Sequence, residues 1–167
     1  MIKTPLVILT PVYEDTESFY QLAQKIENIY QDQATLIAVE DGSLHHVIDV
    51  KHCPTLISVH VLRLKRNVGH QKAISIGLSY LEHKLSDSTK VVVMDSDGED
   101  RPETISELTK SLEQEKVDIA VSVRKSRVES LKFKLFYQAY RLLFKLLTGH
   151  NIHFGNFMAL KLSAIKR

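Results

Sequence analysis

The apolar positions of this 167-residue chain fall into short blocks whose spacing alternates between two periods. Leu6-Val7-Ile8-Leu9-Thr10 is a continuous apolar run closed by Pro11 and predicts a buried strand. Phe19, Leu22, Ala23, Ile26 and Ile29 then recur at helical spacing, with Thr16 placed to N-cap that helix. Leu36-Ile37-Ala38-Val39 predicts a second strand, ending in Glu40-Asp41-Gly42-Ser43, where glycine permits a tight turn and close approach of backbone to a ligand. A third strand alternates loosely from Leu56 to Leu64. A helix with small residues on its packing side follows through Ala73, Ile74, Ile76, Gly77, Leu78 and Leu81. Val91-Val92-Val93-Met94, mostly β-branched, is the fourth strand. A helix from Pro102 to Gln114 carries Ile105, Leu108 and Leu112, and Asp118 to Val123 is the fifth strand. Val128 to Thr148 reads as a long helix ended by Gly149, and Ile152 to Leu162 as a further strand.

Strand and helix in steady alternation predict an α/β fold of three layers, α/β/α, with a mostly parallel sheet covered on both faces. In such sheets ligands gather at the carboxyl ends of the strands. The polar clusters fall there: Tyr13/Glu14, Glu40/Asp41, Asn67/Gly69, Asp95/Asp97 and Arg124. Loops converging on one edge predict a site for an anionic ligand, nucleotide-like in character.

Composition narrows the class. With 44% apolar and 25% charged residues the chain is of ordinary globular type. Its length predicts a single domain over residues 1–167. A net charge of +2 does not mark a nucleic-acid binder. The single cysteine, Cys53, excludes an internal disulfide and fits a reducing compartment. Without a signal peptide or an apolar run of about eighteen residues, the chain is expected to be cytoplasmic.

The chemistry concentrates after the fourth strand, where Asp95, Asp97, Glu99 and Asp100 crowd one loop. Asp95 and Asp97 leave extended backbone on the same side, and carboxylates held that close repel unless a cation lies between them. Oxygen-only ligands suit Mg2+ or Mn2+, which keeps waters and takes substrate phosphates as its remaining ligands. Asp100 is expected to N-cap the following helix, with Pro102 in its first turn and Glu103 at N3. His45, His46 and His52 read as solvated loop residues.

From Val128 onward the chain is basic: Lys132, Lys134, Arg141, Lys145, Lys161, Lys166 and Arg167 stand against Glu129. Two readings stand for the 128–148 helix: contact with an anionic membrane surface at the inner face, or packing on the domain with a solvated basic side. The end at Lys166-Arg167, with no closing element, reads as a cut.

Together these residues resemble the inverting family-2 glycosyltransferases of the GT-A fold, in particular the branch of dolichyl- and polyprenyl-phosphate sugar transferases. Pro11-Val12-Tyr13-Glu14 is similar to the family's Pro-x-Tyr-Asn-Glu start, and Glu40-Asp41-Gly42-Ser43 to its Asp-Asp-Gly-Ser. Asn67-Val68-Gly69 resembles the Asn-x-Gly segment. Met94 to Glu103 resembles the Asp-x-Asp-x-Gln-Asp-x-Pro-Glu signature, and Gly155-Asn156-Phe157 the family's Gly-Asp-Phe or Gly-Asn-Phe. Arg124 stands where the family carries an Arg after its fifth strand.

The resemblance implies a nucleoside-diphosphate sugar donor, UDP- or GDP-linked, and a lipid-phosphate or glycan acceptor. Tyr13, Glu40 and Asp41 would hold base and ribose, with Pro11, Glu14, Asn67 and Gly69 alongside. Asp95, Asp97 and Glu99 would hold the metal against the diphosphate, and Arg124 would add a fixed cation, with Lys72 and Arg127 as further candidates. Glu40 stands for an Asp, Glu14 for the usual Asn, and Glu99 for the Gln of the lipid-phosphate branch. Asn156 occupies a position where many relatives have Asp as a general base, which leans toward a phosphate acceptor that needs none.

Rival readings differ in class. A haloacid-dehalogenase-type phosphatase also opens on strand plus Asp-x-Asp-Gly, but near its N-terminus and with more chain downstream. A nicotinamide-binding domain requires Gly-x-Gly-x-x-Gly after the first strand, where this chain has none. A domain that binds nucleotide and metal without turnover is the remaining alternative.

Overall fold

A computed structural model of the chain describes residues 2–114, 116–122 and 155–166. The expected 128–148 helix, Arg124 and Arg127 lie outside the described residues. The elements in chain order are β1 (Leu6–Val12), α1 (Thr16–Tyr30), β2 (Ala34–Glu40), β3 (Ser58–Arg63), α2 (His70–Glu82) and β4 (Lys90–Val93). They are followed by α3 (Ile105–Gln114), β5 (Ile119–Val121), β6 (Met158–Lys161) and a single turn, α4 (Leu162–Ile165).

The sheet order is β3-β2-β1-β4-β6-β5. β1, β2, β3 and β4 are parallel, and β6 runs antiparallel between β4 and β5. The strand expected within 152–162 exists as Met158–Lys161, inserted between β4 and β5. After β3 the chain crosses back to the other side of β1, so the strand order reverses between β1 and β4. A reversal of this kind opens a crevice at the carboxyl ends of the two strands.

Side-chain alternation along the buried strands feeds two separate cores. Ile8, Val12, Leu36, Ala38, Val92 and Met94 meet Phe19, Leu22, Ala23 and Ile26 of α1 and Ile105 and Leu112 of α3. The alternate residues Val7, Leu9, Ile37, Val39, Val91 and Val93 meet Ala73, Ile74 and Leu81 of α2 and Leu162 of α4. Those are the three expected layers. Burial on both faces is why β1 and β2 read as unbroken apolar runs.

Two caps differ from expectation. Asp15, not Thr16, caps α1, its Oδ1 accepting the Ser18 N–H at 3.1 Å. Asp100 does not cap the helix after Arg101. Residues Pro102–Thr104 form a 3-10 turn without a side-chain cap, and α3 begins only at Ile105. Asp100 is instead buried, with Oδ2 accepting the Asp95 N–H at 2.9 Å. Proline at the first turn already removes one of the donors that a cap would satisfy.

Candidate active site at the carboxyl edge of the sheet

The parallel strands bring Tyr13 and Glu14, Glu40 and Asp41, Asn67 and Gly69, and Asp95 and Asp97 to one edge, because each follows the carboxyl end of its strand. Asn156 joins them from the turn before β6, whose antiparallel run starts where β4 ends: Met158 lies opposite Val93. Arg124 lies outside the described residues.

The acids at this edge divide into two kinds. Glu14, Glu40 and Asp41 are bonded to the chain itself. The Glu14 carboxylate accepts the N–H groups of Leu44 at 2.6 Å, His45 at 3.1 Å and His46 at 2.9 Å, while its own N–H donates to Ser43 Oγ. Those bonds hold Glu14 at φ 52, a left-handed conformation unusual for glutamate. They also hold its carboxyl below the ordinary value of 4.5, the Leu44 N–H contributing most. Glu40 is buried, with Oε1 accepting the Ile48 N–H at 2.6 Å and Oε2 paired with Arg63 Nε at 2.9 Å. Asp41, also buried, accepts the Val68 and Gly69 N–H groups, one on each oxygen.

Glu40 and Asp41 were expected to reach a base and ribose. Their carboxylates are turned inward, because a buried charge must be met by donors and the nearest are backbone N–H groups of adjoining loops. Pro11 likewise lies buried within β1, paired with Val39. Gly42 makes the arrangement fit. At φ +71 it packs so closely that a Cβ there would lie 2.3 Å from the Arg66 carbonyl carbon and 2.4 Å from Asn67 N.

Open to solvent at the same edge are Tyr13, 54% exposed, and Asn67, Lys72, Asp97 and Glu99. Gly98, at φ +82, turns the acidic loop so that the Glu99 N–H returns to Asp97 Oδ1 at 2.9 Å. Asp95 sits deeper, and its Oδ1 is buried without a well-formed hydrogen bond. His70 Nε2 stands 3.2 Å from that oxygen, close enough for charge attraction but without hydrogen-bond alignment. Burial pushes the Asp95 carboxyl up from its ordinary 3.8. His70 draws it down, Asp100 and Asp97 push it up again, and the Asn156 amide favours the charged form.

An under-bonded carboxylate oxygen flanked by further carboxylates is a donor set suited to a hard divalent cation. Among the described residues no group of three His, Cys, Asp or Glu is already gathered as a metal cage. Asp95 and Asp97 would therefore leave much of the shell to water and substrate oxygens, as Mg2+ favours. His45 and His46 are exposed loop residues, and His52 is exposed at the end of a short 3-10 turn, its ring edge-on to Tyr20.

His70 and Gln71 were not singled out by the sequence. His70 Nε2 lies 2.8 Å from Asn156 Nδ2, and Gln71 Nε2 donates to Asn156 Oδ1 at 2.7 Å. The available signal was their position immediately after Asn67-Val68-Gly69, at the start of a helix aimed at the acidic edge. A separate cavity of about 370 Å3, lined by residues including Lys3, Thr35, Ser58, His60 and Lys84, lies at the opposite edge and contains none of these acids.

Comparison with known proteins agrees with this architecture. The chain is 29% identical over 147 residues to the uncharacterized glycosyltransferase YkcC of Bacillus subtilis (strain 168), covering 85% of this chain and 43% of that one. It thus spans less than half the length of that relative. The fold is similar to that of the mannosyltransferase PcManGT from Pyrobaculum calidifontis in complex with GDP-Man and Mn2+, with a TM-score of 0.61, 17% identity, and coverage of 99% of this chain and 47% of the other. It is also similar to glucosyl-3-phosphoglycerate synthase from Mycobacterium tuberculosis in complex with Mn2+, UDP and glucosyl-3-phosphoglycerate, with a TM-score of 0.59, 16% identity, and coverage of 96% and 57%. These likenesses identify the fold as GT-A. The model of glycosyl transferase family 2 matches residues 7–164, nearly the whole chain, and the chain belongs to that family.

Proposed function

We propose that this chain carries the donor site of a metal-dependent, inverting glycosyltransferase, moving a sugar from a UDP- or GDP-linked donor to a polyprenyl-phosphate acceptor in cell-surface polysaccharide or glycolipid synthesis. The observation that carries this reading is Asp95 with Asp97 at the end of β4, beside the reversal of strand order, with Asp95 Oδ1 buried and under-bonded. The likeness to proteins solved with GDP-Man or UDP and Mn2+ supports a nucleotide-sugar donor.

Each residue has a physical task on this reading. Tyr13 offers an exposed ring against which a nucleotide base stacks. Glu14, Glu40 and Asp41 act indirectly, holding the loops at 43–49 and 67–69 that wall the base and ribose. Asn67, Lys72 and Arg124 offer donors and positive charge to the diphosphate. Asp95 and Asp97 would hold Mg2+ or Mn2+, with Glu99 on the same loop adding negative charge, and the ion would supply Lewis-acid stabilisation of the charge on the departing nucleoside diphosphate.

The acceptor oxygen bonds to the anomeric carbon from the face opposite the leaving group. The carbon–oxygen bond to the β-phosphate breaks, and its electron pair leaves on the nucleoside diphosphate. A phosphate monoester, with a second pKa of about 6, is already anionic and needs no base. Asn156 in place of a carboxylate is consistent with that acceptor. The basic, apolar stretch 128–148 then meets the anionic membrane surface where a lipid phosphate is presented.

Calorimetric titration of UDP and GDP, each with Mn2+, Mg2+ or EDTA, tests the donor assignment. One nucleotide is expected to bind in a metal-dependent manner and to lose that binding in Asp95→Ala and Asp97→Ala. If the folded protein takes up neither nucleotide with either metal, the assignment is wrong.

A further inference from the structure

We propose that His70 and Asn156 form a bracket that positions Asp95, so that the start of α2 and the turn before β6 set the geometry of the cation-binding loop. The proposal rests on the metal-dependent reading above. It gives Asn156 a different task from the one its place in the motif suggests: it acts on Asp95, not on the acceptor.

The geometry is specific. The His70 ring nitrogen is 3.2 Å from Asp95 Oδ1 and 2.8 Å from the Asn156 amide, although His70 and Asn156 are 86 residues apart. Gln71 secures the other end of the same amide at 2.7 Å, so both ends of the Asn156 side chain are occupied. Whichever tautomer and amide orientation is adopted, imidazole, amide and carboxylate remain in one contiguous group. Asp100 completes the enclosure from behind by accepting the Asp95 N–H.

The chemistry explains the residue types. Asp95 faces Asp97 and Asp100, and a further carboxylate at position 156 would add repulsion where Asp95 has already lost water. An amide at 156 carries no charge and supplies N–H groups on the Asp95 side, while its oxygen is held by Gln71. Partners that orient a metal-binding carboxylate typically account for about 10–100-fold in metal affinity. His70 and Asn156 are positioning residues in this sense.

The test is Mn2+ titration followed by electron paramagnetic resonance, in the presence of UDP or GDP, on the wild type and on His70→Ala, His70→Gln, Asn156→Ala and Asp95→Ala. Thermal unfolding of each metal-free protein runs alongside. His70→Ala and Asn156→Ala are expected to weaken Mn2+ binding about tenfold or more without a matching fall in Tm. His70→Gln, whose amide oxygen can stand near the Nε2 position and accept the Asn156 N–H, is expected to recover most of the affinity. Wild-type Mn2+ binding in His70→Ala and Asn156→Ala, with loss in Asp95→Ala, overturns the bracket and leaves the donor reading standing. Loss that tracks a collapse in Tm and is not rescued by glutamine also overturns it, as a purely structural role. Wild-type binding in Asp95→Ala overturns the donor reading itself, and the bracket with it.

Discussion

Asp41 is tied to Gly69 by its carboxylate: Oδ2 accepts the Gly69 N–H at 2.9 Å, while Oδ1 accepts that of Val68 at 2.8 Å. The end of β2 is thereby locked to the residue from which α2 starts. Asp41 is 3% exposed, so these bonds are sheltered from water. Hydrogen bonds to a charged group contribute about 1.5–3 kcal/mol each. Asp41→Ala is therefore expected to lower stability by about 3 kcal/mol, measured by urea unfolding. Asp41→Asn is also destabilising, because its NH2 meets a backbone N–H. An unchanged urea midpoint, with nucleotide binding lost, would instead make Asp41 a direct donor contact.

Gly42 tolerates no side chain. Its φ of +71 costs an L-residue about 1–2 kcal/mol, and a Cβ would strike backbone at Arg66 and Asn67 rather than a flexible side-chain end. Gly42→Ala is expected to destabilise by more than about 2 kcal/mol. It is also expected to shift the amide resonances of residues 66–69, read in a heteronuclear NMR spectrum. A spectrum unchanged there would show that the added methyl group is accommodated without moving the loop.

Glu14 makes the loop at 44–46 sensitive to acid. Its folded carboxyl lies below its ordinary 4.5, so the bonded state is complete above that value and is lost as pH falls through the lower, folded one. At neutral pH, Glu14→Gln is expected to accelerate hydrogen exchange at the Leu44, His45 and His46 amides. Amides of β2 should exchange as in the wild type. Equal acceleration throughout would indicate global destabilisation instead.

Asp95 titrates in the opposite sense. Burial raises its carboxyl above the ordinary 3.8, so the folded protein binds that proton more tightly than the unfolded chain does. The resulting stabilisation is complete below about 3.9 and is lost as pH rises through the folded value. Asp95→Asn is expected to unfold at a higher temperature than the wild type at neutral pH without metal, while losing metal-dependent nucleotide binding. In the wild type, cation affinity should rise with pH over the acidic range, since the proton and the cation compete for one carboxylate. A lower Tm for Asp95→Asn would show that Asp95 is fully compensated by its neighbours.

Much of this molecule was legible in the chain because its signals are local. Continuous runs such as Val91-Val92-Val93 announce strands buried on both faces, and their two alternating sets of side chains do fill two cores. The helical spacing of Phe19, Leu22, Ala23 and Ile26 led directly to the buried face of α1, whereas Ile29, which shares that spacing, is 42% exposed near the end of the helix. Since the strands are parallel, the loop after each one lands on the same edge, so alternation alone placed Tyr13, Glu40, Asn67 and Asp95 together.

The sequence by itself determined the layered fold, the edge that carries the acids and the family, since period, strand direction and motif order are properties of neighbouring residues. Tertiary structure alone decided which acids face outward. Glu14, Glu40 and Asp41 look like ligands in a motif, yet their partners lie 27–32 residues away for Glu14 and Asp41, and for Glu40 they are Ile48, eight residues away, and Arg63 on the neighbouring strand. Tertiary structure also decided the insertion of β6 between β4 and β5, and hence the arrival of Asn156 beside His70. The physical reason is common to both: a buried polar group takes whichever partner the fold brings within about 3 Å, and that neighbour is chosen by packing, not by distance along the chain.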